Sequence, residues 1–331
     1  MLKFQDCPSI SVIIPCFNGR KRLPRCLKSI QKQNYPQEKI EYIVVDDDST
    51  DGTAELAAKE FGCKVVRNGT HNIERGKSIG LENAKGEYVF LIDDDNRLPD
   101  ANWLITLVSA VVENDSVGGQ AAYFHYNKKD TAANRYAALY AINDPTVFYL
   151  NRRDKLMQTE KVWTLPGKVV RETNKYFVVR FHPENLLTVG SQGFLVKRSL
   201  LLKTSWKPYL YHMDTNMELV IQGHCNYIML KRSVIHDHSQ NIEHFIGKLK
   251  RNIGLFYSEN KYRKYTYDIS KGKMIYLGLV MGSFIVPFAS AVKGFMQIRD
   301  LAWFIHPWIC FRVAIIYTKA TLKNIFQRRE K

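Results

Sequence analysis

The stretch YVFLIDDDNRLPD, residues 88–100, runs an apolar segment from Tyr88 to Ile92 directly into three aspartates, Asp93, Asp94 and Asp95. A short apolar run bounded by turn formers reads as a buried strand. Adjacent like charges repel, and the repulsion is tolerable where the group is fully solvated or where a cation sits among the carboxylates. Hard divalent cations take carboxylate oxygens, and magnesium or manganese is commonly held by one or two of them together with substrate phosphates. A capping cluster or a solvated turn is the plain alternative.

Working outward, ISVIIP (10–15) is a second β-branched run ended by proline, and CFNGR follows as its loop. Leu23, Leu27 and Ile30 recur at helical spacing across 20–33. A third strand, Tyr42–Val45, ends in Asp46, and Thr50 and Asp51 are cap candidates for the helix that stops at Gly62. A short strand at CKVVRN and a helix from about Gly76 to Ala84 lead back to the opening stretch. Alternating strands and helices predict a parallel sheet with helices on both faces. Ligands of such sheets bind at the carboxyl ends of strands, where the acids after Val45 and Ile92 both fall.

Further on, 102–114 is helix-periodic, 128–184 is irregular with one strand at KYFVVRF, and GHCNYIMLKRSVIHDHS reads as two short strands. His236 and His238 fall at the end of the second. They either reach a diphosphate or a metal, or tie this part to the next helix.

The totals bound the class. The chain has 331 residues, 45% of them hydrophobic, and a formal charge of +16, which predicts an anionic partner. The residues from Asn241 onward hold 16 Lys and Arg against 5 Asp and Glu, interleaved with long apolar runs. That pattern favours a membrane surface over nucleic acid. Six cysteines without a CxxC pair read as reduced thiols of a cytosol-facing protein, and the first apolar run is too short for a secretory signal.

Met274–Val292 is nineteen residues without a charge, the length of a bilayer span, and Leu301–Tyr317 is nearly as long. A tight membrane hairpin is one expectation. A pair of interfacial helices broken at Pro287 and Pro307 is the other, favoured by Arg312 in the second run. A buried soluble helical pair is the third.

The segments SVIIPCFN, YIVVDDDSTDGT, GKSIGLENAKGEYVFLIDDDN, GSQGFLVKRSLL and MDTNMELVIQG resemble, in order and spacing, the family 2 glycosyltransferases of A-type fold. The resemblance covers about 10–254. It implies an α/β fold with a mixed, mostly parallel central sheet flanked by helices, followed here by a membrane-associating helical tail. It divides the chain into a nucleotide-sugar half (1–120), an acceptor and catalytic-base half (121–254) and the tail (255–331).

The resemblance implies that Pro15, Cys16 and Phe17 line the nucleotide base and ribose, and that Asp47 accepts a hydrogen bond from the base. Asp93 and Asp95 would hold Mg2+ or Mn2+, and Asp94 would face the ribose or donor sugar. Lys77, standing where relatives usually carry arginine, would meet the diphosphate, with Ser78 in the place of the usual asparagine. Gly190, Ser191, Gln192 and Gly193 would let backbone approach the donor or acceptor, with a simple turn as the bland reading.

Asp214 matches the last acid of the family's acidic pair, although His212 and Met213 precede it, and would be the catalytic base. A helix cap is the alternative, and Glu218 the reserve. The implied activity is inverting transfer from a nucleotide-diphosphate sugar to a glycan or polyprenyl-linked acceptor at the cytoplasmic face of the membrane, with membrane lipid but no nucleic acid as a partner. The rivals are a sugar nucleotidyltransferase, for which PCFNGRKRLP is a poor triphosphate loop, and a non-catalytic basic binding protein.

Overall fold

The computed structural model describes residues 2–190, 192–237, 239–259, 262–265 and 271–329, so Ser191 and His238 lie outside the described residues. The chain divides into two compact units, Met1–His125 with Pro166–His236, and Tyr126–Leu165 with Asp237–Lys331.

The first unit is built on ten strands: β1 (Ile10–Cys16), β2 (Ile40–Asp46), β3 (Lys64–Arg67), β4 (Tyr88–Leu91), β5 (Asn96–Arg97), β6 (Gly118–Phe124), β7 (Lys168–Glu172), β8 (Tyr176–Arg180), β9 (Phe194–Lys197) and β10 (Asn226–His236). Their order is β3-β2-β1-β4-β9-β6-β10-β8-β7, with β5 paired to β10. Along that order only β9 and β8 run against the rest, which makes the sheet mixed but mostly parallel. Every residue of β1 and β4 is buried, as the unbroken apolar runs require when both faces of a sheet are covered. The register sets Cys16 opposite Asp46 and Ile13 opposite Leu91, so β1, β2 and β4 end along one edge.

Two local readings are corrected. The third helix spans Ile73–Asn83 and starts a turn before Gly76, because the Asn72 side chain accepts from the N–H groups of Glu74 and Arg75. The segment read as two short strands is the single eleven-residue β10. Its register shift between Leu230 and Ser233 absorbs the Lys231-Arg232 pair that interrupts the apolar pattern.

The second unit is helical: Ala132–Tyr140, Pro145–Tyr149, Ile242–Glu259, Lys271–Gly282, Ile285–Gln297 and His306–Arg329. Its core gathers Tyr136, Tyr140, Phe245, Leu249, Trp303 and Ile309 around the buried His306. The two imidazole nitrogens hydrogen-bond with the hydroxyls of Tyr136 and Tyr149, each at 2.9 Å, and the ring stacks on Tyr140 at 4.0 Å.

The chain does not break at Pro287 or Pro307. Both sit in the first turn of the helices they open, where proline's missing N–H costs nothing. The break falls instead before Phe284, whose φ is +58°. Among the described residues, one helix, Leu301–Thr321, is long and apolar enough to cross a membrane, and the pair Gly272–Gly282 and Ile285–Gln297 would qualify only jointly, across a bend of 64°.

Candidate active site

The loops at the common edge of β1, β2 and β4 are stitched together. Asn18 donates its N–H to Ser49 Oγ, Asn18 Oδ1 accepts from the Thr50 N–H, and the Gly19 N–H donates to Thr53 Oγ1, each at 2.9 Å. Pro15 and Cys16 are buried at the strand end, while Phe17 emerges, 49% exposed. Its ring stands edge-on to His71 at 5.7 Å. Asp47 lies beside them, with Oδ1 accepting from the N–H groups of Thr70 at 3.1 Å and His71 at 2.8 Å. Two aromatic rings and an anchored carboxylate thus come together.

The three aspartates have three different surroundings. Asp94 Oδ2 accepts from Arg22 Nη2 at 2.8 Å and from the Cys16 thiol at 3.2 Å. A Cβ at Gly19 would stand 2.2 Å from Cys16 Sγ and 2.5 Å from that same oxygen, so the loop closes over Asp94 only because residue 19 has no side chain. Burial pushes the Asp94 carboxyl above the ordinary range, with Arg22 pulling the other way.

Asp93 is pushed up as well, first by burial and then by Asp95, against the pull of Lys77. Lys77 is itself buried, its Nζ 3.3 and 3.2 Å from the two oxygens of Glu74. Burial works against the ammonium charge, but Glu74 and Asp93 outweigh it and hold the pKa above the ordinary value. Asp95 Oδ1 accepts from Asn96 Nδ2 at 3.0 Å and lies 3.5 Å from His236 Nε2. The pairing of Asn96 with His236 across β5 and β10 brings a histidine 141 positions downstream to the aspartate loop.

The glycine segment spans from β4 to the helix His212–Ile221. Gly193, at φ +85°, donates its N–H to the Leu91 carbonyl at 3.1 Å. Gly190, at φ +113°, donates to Gln120 Oε1 at 3.0 Å, and a Cβ there would meet His212 Cβ at 2.7 Å. Asn216 Nδ2 donates to the Val189 carbonyl at 2.9 Å and its Oδ1 accepts from the Tyr227 hydroxyl, which fixes the segment on the helix. Gln192 is buried at φ +60°.

Asp214 is the third residue of that helix and is buried, in the first turn where the helix dipole favours a carboxylate. Its helix packs against the glycine segment through His212 and Asn216. Glu218, one turn on, accepts the Ser205 N–H at 2.5 Å. The Leu210 N–H donates to the Glu74 carbonyl at 3.0 Å and Arg75 Nη1 donates to the Pro208 carbonyl at 3.1 Å, so the helix bearing Lys77 also holds the lead-in to the helix bearing Asp214.

Among the described residues, the buried polar atoms without a hydrogen-bond partner include Ser78 Oγ, Asp46 Oδ1, Asn96 Oδ1 and Gln192 Oε1. Buried polar atoms in native proteins are nearly always paired, which suits a site that takes a polar ligand. Sequence reasoning did not find Arg22, His71 or Glu74. Each acts through a partner at least three positions away, and no motif marks it.

Residues 11–180 match the family described as glycosyl transferase family 2. The chain belongs to that family. It is 33% identical over 137 residues to Glycosyltransferase AglE of Haloferax volcanii, a match covering 39% of this chain and 44% of that protein. It is 37% identical over 99 residues to the GalNAc(5)-diNAcBac-PP-undecaprenol beta-1,3-glucosyltransferase of Campylobacter jejuni, covering 28% of this chain and 31% of that one. The matched part is thus less than half the length of either relative. Among solved structures, the mannosyltransferase PcManGT from Pyrobaculum calidifontis, in complex with GDP-Man and Mn2+, is similar in fold with a TM-score of 0.56 at 15% identity, over 97% of this chain and 88% of that one.

Proposed function

We propose that this chain is an inverting, metal-assisted glycosyltransferase that moves a sugar from a nucleotide diphosphate to a lipid-linked acceptor at the cytoplasmic face of a membrane. The observation that carries the reading is the meeting of Asp93, Asp95, Lys77 and His236 at the edge where Phe17, Asp47 and His71 also converge, in a family 2 chain.

The donor set suits a divalent cation. Asp95 and His236 offer a carboxylate and an imidazole 3.5 Å apart, ligands that manganese accepts, and Asp93 adds a second carboxyl within electrostatic reach of Asp95, His236 and Lys77. Among the described residues no three His, Cys, Asp or Glu form a protein-only cage. A cation shared with substrate phosphates does not need one. When bound, the cation would neutralise charge growing on the departing diphosphate.

The chain's own groups do the rest. Phe17 and His71 pack against the base, and Asp47 orients it. Lys77 supplies fixed positive charge for the diphosphate, already placed by Glu74 and therefore needing no reorganisation. Asp214 takes the proton from the acceptor hydroxyl as that oxygen attacks the anomeric carbon from the face opposite the leaving group. One carboxylate is enough for this, because no covalent intermediate forms. Gly190 and Gly193 let the segment between donor and base take backbone angles that a side chain would strain.

A lipid-linked acceptor is supported by the apolar, basic C-terminal residues and by the undecaprenol-linked substrate in the name of the Campylobacter relative. Incubation with UDP-, GDP-, CDP- and dTDP-sugars and manganese, reading released nucleoside diphosphate, tests the activity. Release from none of them rejects it. Retention of the donor's anomeric configuration in the product would reject inversion alone.

A further inference from the structure

The second unit carries an apolar face that its own core leaves uncovered. Among the described residues, twelve of the twenty-two exposed large apolar side chains fall between Met274 and Ile315. Ile275, Leu279, Ile285, Met296 and Leu301 are 65 to 77% exposed, and Phe288 is 54% exposed. Lys273, Lys293, Arg299 and Lys319 are exposed on the same three helices or the turn between them. So many exposed apolar side chains, with exposed cations on the same helices, fit an anionic lipid surface in both respects.

The geometry also selects how such a surface is met. Helices Lys271–Gly282 and Ile285–Gln297 have 12 and 13 residues, about 18–20 Å each at the helical rise, against a hydrocarbon core of about 30 Å. The 64° bend prevents them from adding end to end.

Leu301–Thr321 is long enough, but 39% of its apolar window is buried, with Trp303, Ile309, Cys310 and Val313 packed in the core beside Phe245 and Leu249. Its helical partner, Ile242–Glu259, carries Lys248, Lys250 and Arg251 beside those core residues. Arg312, midway along the apolar stretch, is held by Glu243 through both carboxylate oxygens at 3.2 and 3.3 Å. A spanning helix would drag this charged neighbour and its ion pair into hydrocarbon.

We infer that the second unit docks on one leaflet of an anionic bilayer without crossing it, with Ile275, Leu279, Ile285, Phe288, Met296 and Leu301 seated at the headgroup–acyl boundary. Lys273, Lys293, Arg299 and Lys319 meet lipid phosphates, and Trp308, 47% exposed, lies at the interfacial level that suits an indole ring. This deepens the proposal that the chain works at a membrane, and rests on it.

The test uses the full chain with phosphatidylcholine vesicles, with and without 30% phosphatidylglycerol. Cosedimentation is expected to be at least tenfold stronger with the anionic lipid, to weaken at high salt and to be reversed by alkaline carbonate. Lipids brominated near the headgroup are expected to quench Trp308 fluorescence, and most of the quenching should be lost in W308F, since of the other four tryptophans Trp103 and Trp303 are fully buried and the half-buried Trp163 and Trp206 are not on the helices proposed to dock. I285E/F288E is expected to lose at least tenfold in partitioning, with the far-ultraviolet circular dichroism spectrum of the parent confirming that it folds.

Carbonate-resistant binding with protease-accessible segments on both sides of the vesicle would overturn single-leaflet docking and leave the membrane reading standing. Absence of binding to either vesicle would remove both. A lipid-independent dimer broken by I285E/F288E would instead assign the face to a second copy.

Discussion

Arg22 Nη2 lies 2.8 Å from Asp94 Oδ2, joining the loop after the first strand to the middle residue of the triple aspartate across 72 positions of sequence. The same nitrogen also donates to the Phe17 carbonyl at 3.2 Å, so one guanidinium sets both the loop carrying the exposed aromatic ring and the carboxylate beneath it.

Arg22→Ala is therefore expected to act on donor binding more than on stability. The arginine side chain is 46% exposed, and ion pairs of that kind contribute on the order of 0–1 kcal/mol. Calorimetry with the cognate nucleotide sugar should show Kd raised about tenfold, the equivalent of roughly 1.4 kcal/mol. An unchanged Kd would reduce the pair to a surface contact. Gly19→Ala should weaken binding at least as much, because its Cβ would contact Cys16 and Asp94 directly.

Asp214→Asn keeps the helix and removes the proposed base. Transfer should fall by about 10²–10⁴-fold, the usual worth of a positioned proton acceptor, with donor affinity within about threefold of the parent. Glu218→Gln should retain most activity, since that carboxylate already accepts the Ser205 N–H. The reverse ranking would transfer the role to Glu218.

For the proposed cation, Asp95→Ala and His236→Ala give graded outcomes. Loss of the carboxylate should abolish manganese-dependent donor binding. Loss of the imidazole, 3.5 Å from it, should raise the manganese concentration needed for half-maximal binding about 10–100-fold. Titrating manganese at fixed donor, followed by thermal shift, reads both.

Asp300 gives the second unit a pH signature. Its Oδ2 accepts from Tyr126 at 2.7 Å and Arg135 at 2.9 Å, and its Oδ1 from the Ala302 N–H at 2.8 Å. Burial disfavours the charge, but the bonds from Ala302, Tyr126 and Arg135 prevail and hold the carboxyl below its ordinary range. A carboxylate whose folded pKa is depressed stabilises fully above its unfolded value near 4, and that contribution fades as pH falls towards the folded value. Asp300→Asn should cost about 2–4 kcal/mol at pH 7 and flatten the acid limb of the stability curve, as denaturant melts from pH 7 to 3 would show.

The strand-loop-helix grammar of the first hundred residues was legible because apolar runs and turn formers are local signals. The position of the triple aspartate at a strand end was legible for the same reason, and so was its likeness to a known family. The edge strand β7 was not: every residue but the partly covered Val169 is exposed, so no apolar stripe announces it. Arg22 and His71 were missed because their partners come from other strands' loops. The break before Phe284 was misplaced because proline is a breaker only beyond the first turn, and sequence alone does not say where a turn begins.

Glu74 serves two masters: its carboxylate grips Lys77 while its carbonyl receives the Leu210 N–H. The cation proposed for the leaving group and the helix bearing the proposed proton acceptor are thereby indexed to a single residue. On the proposed mechanism, substitutions in 207–210 would therefore detune the timing of bond breaking against deprotonation.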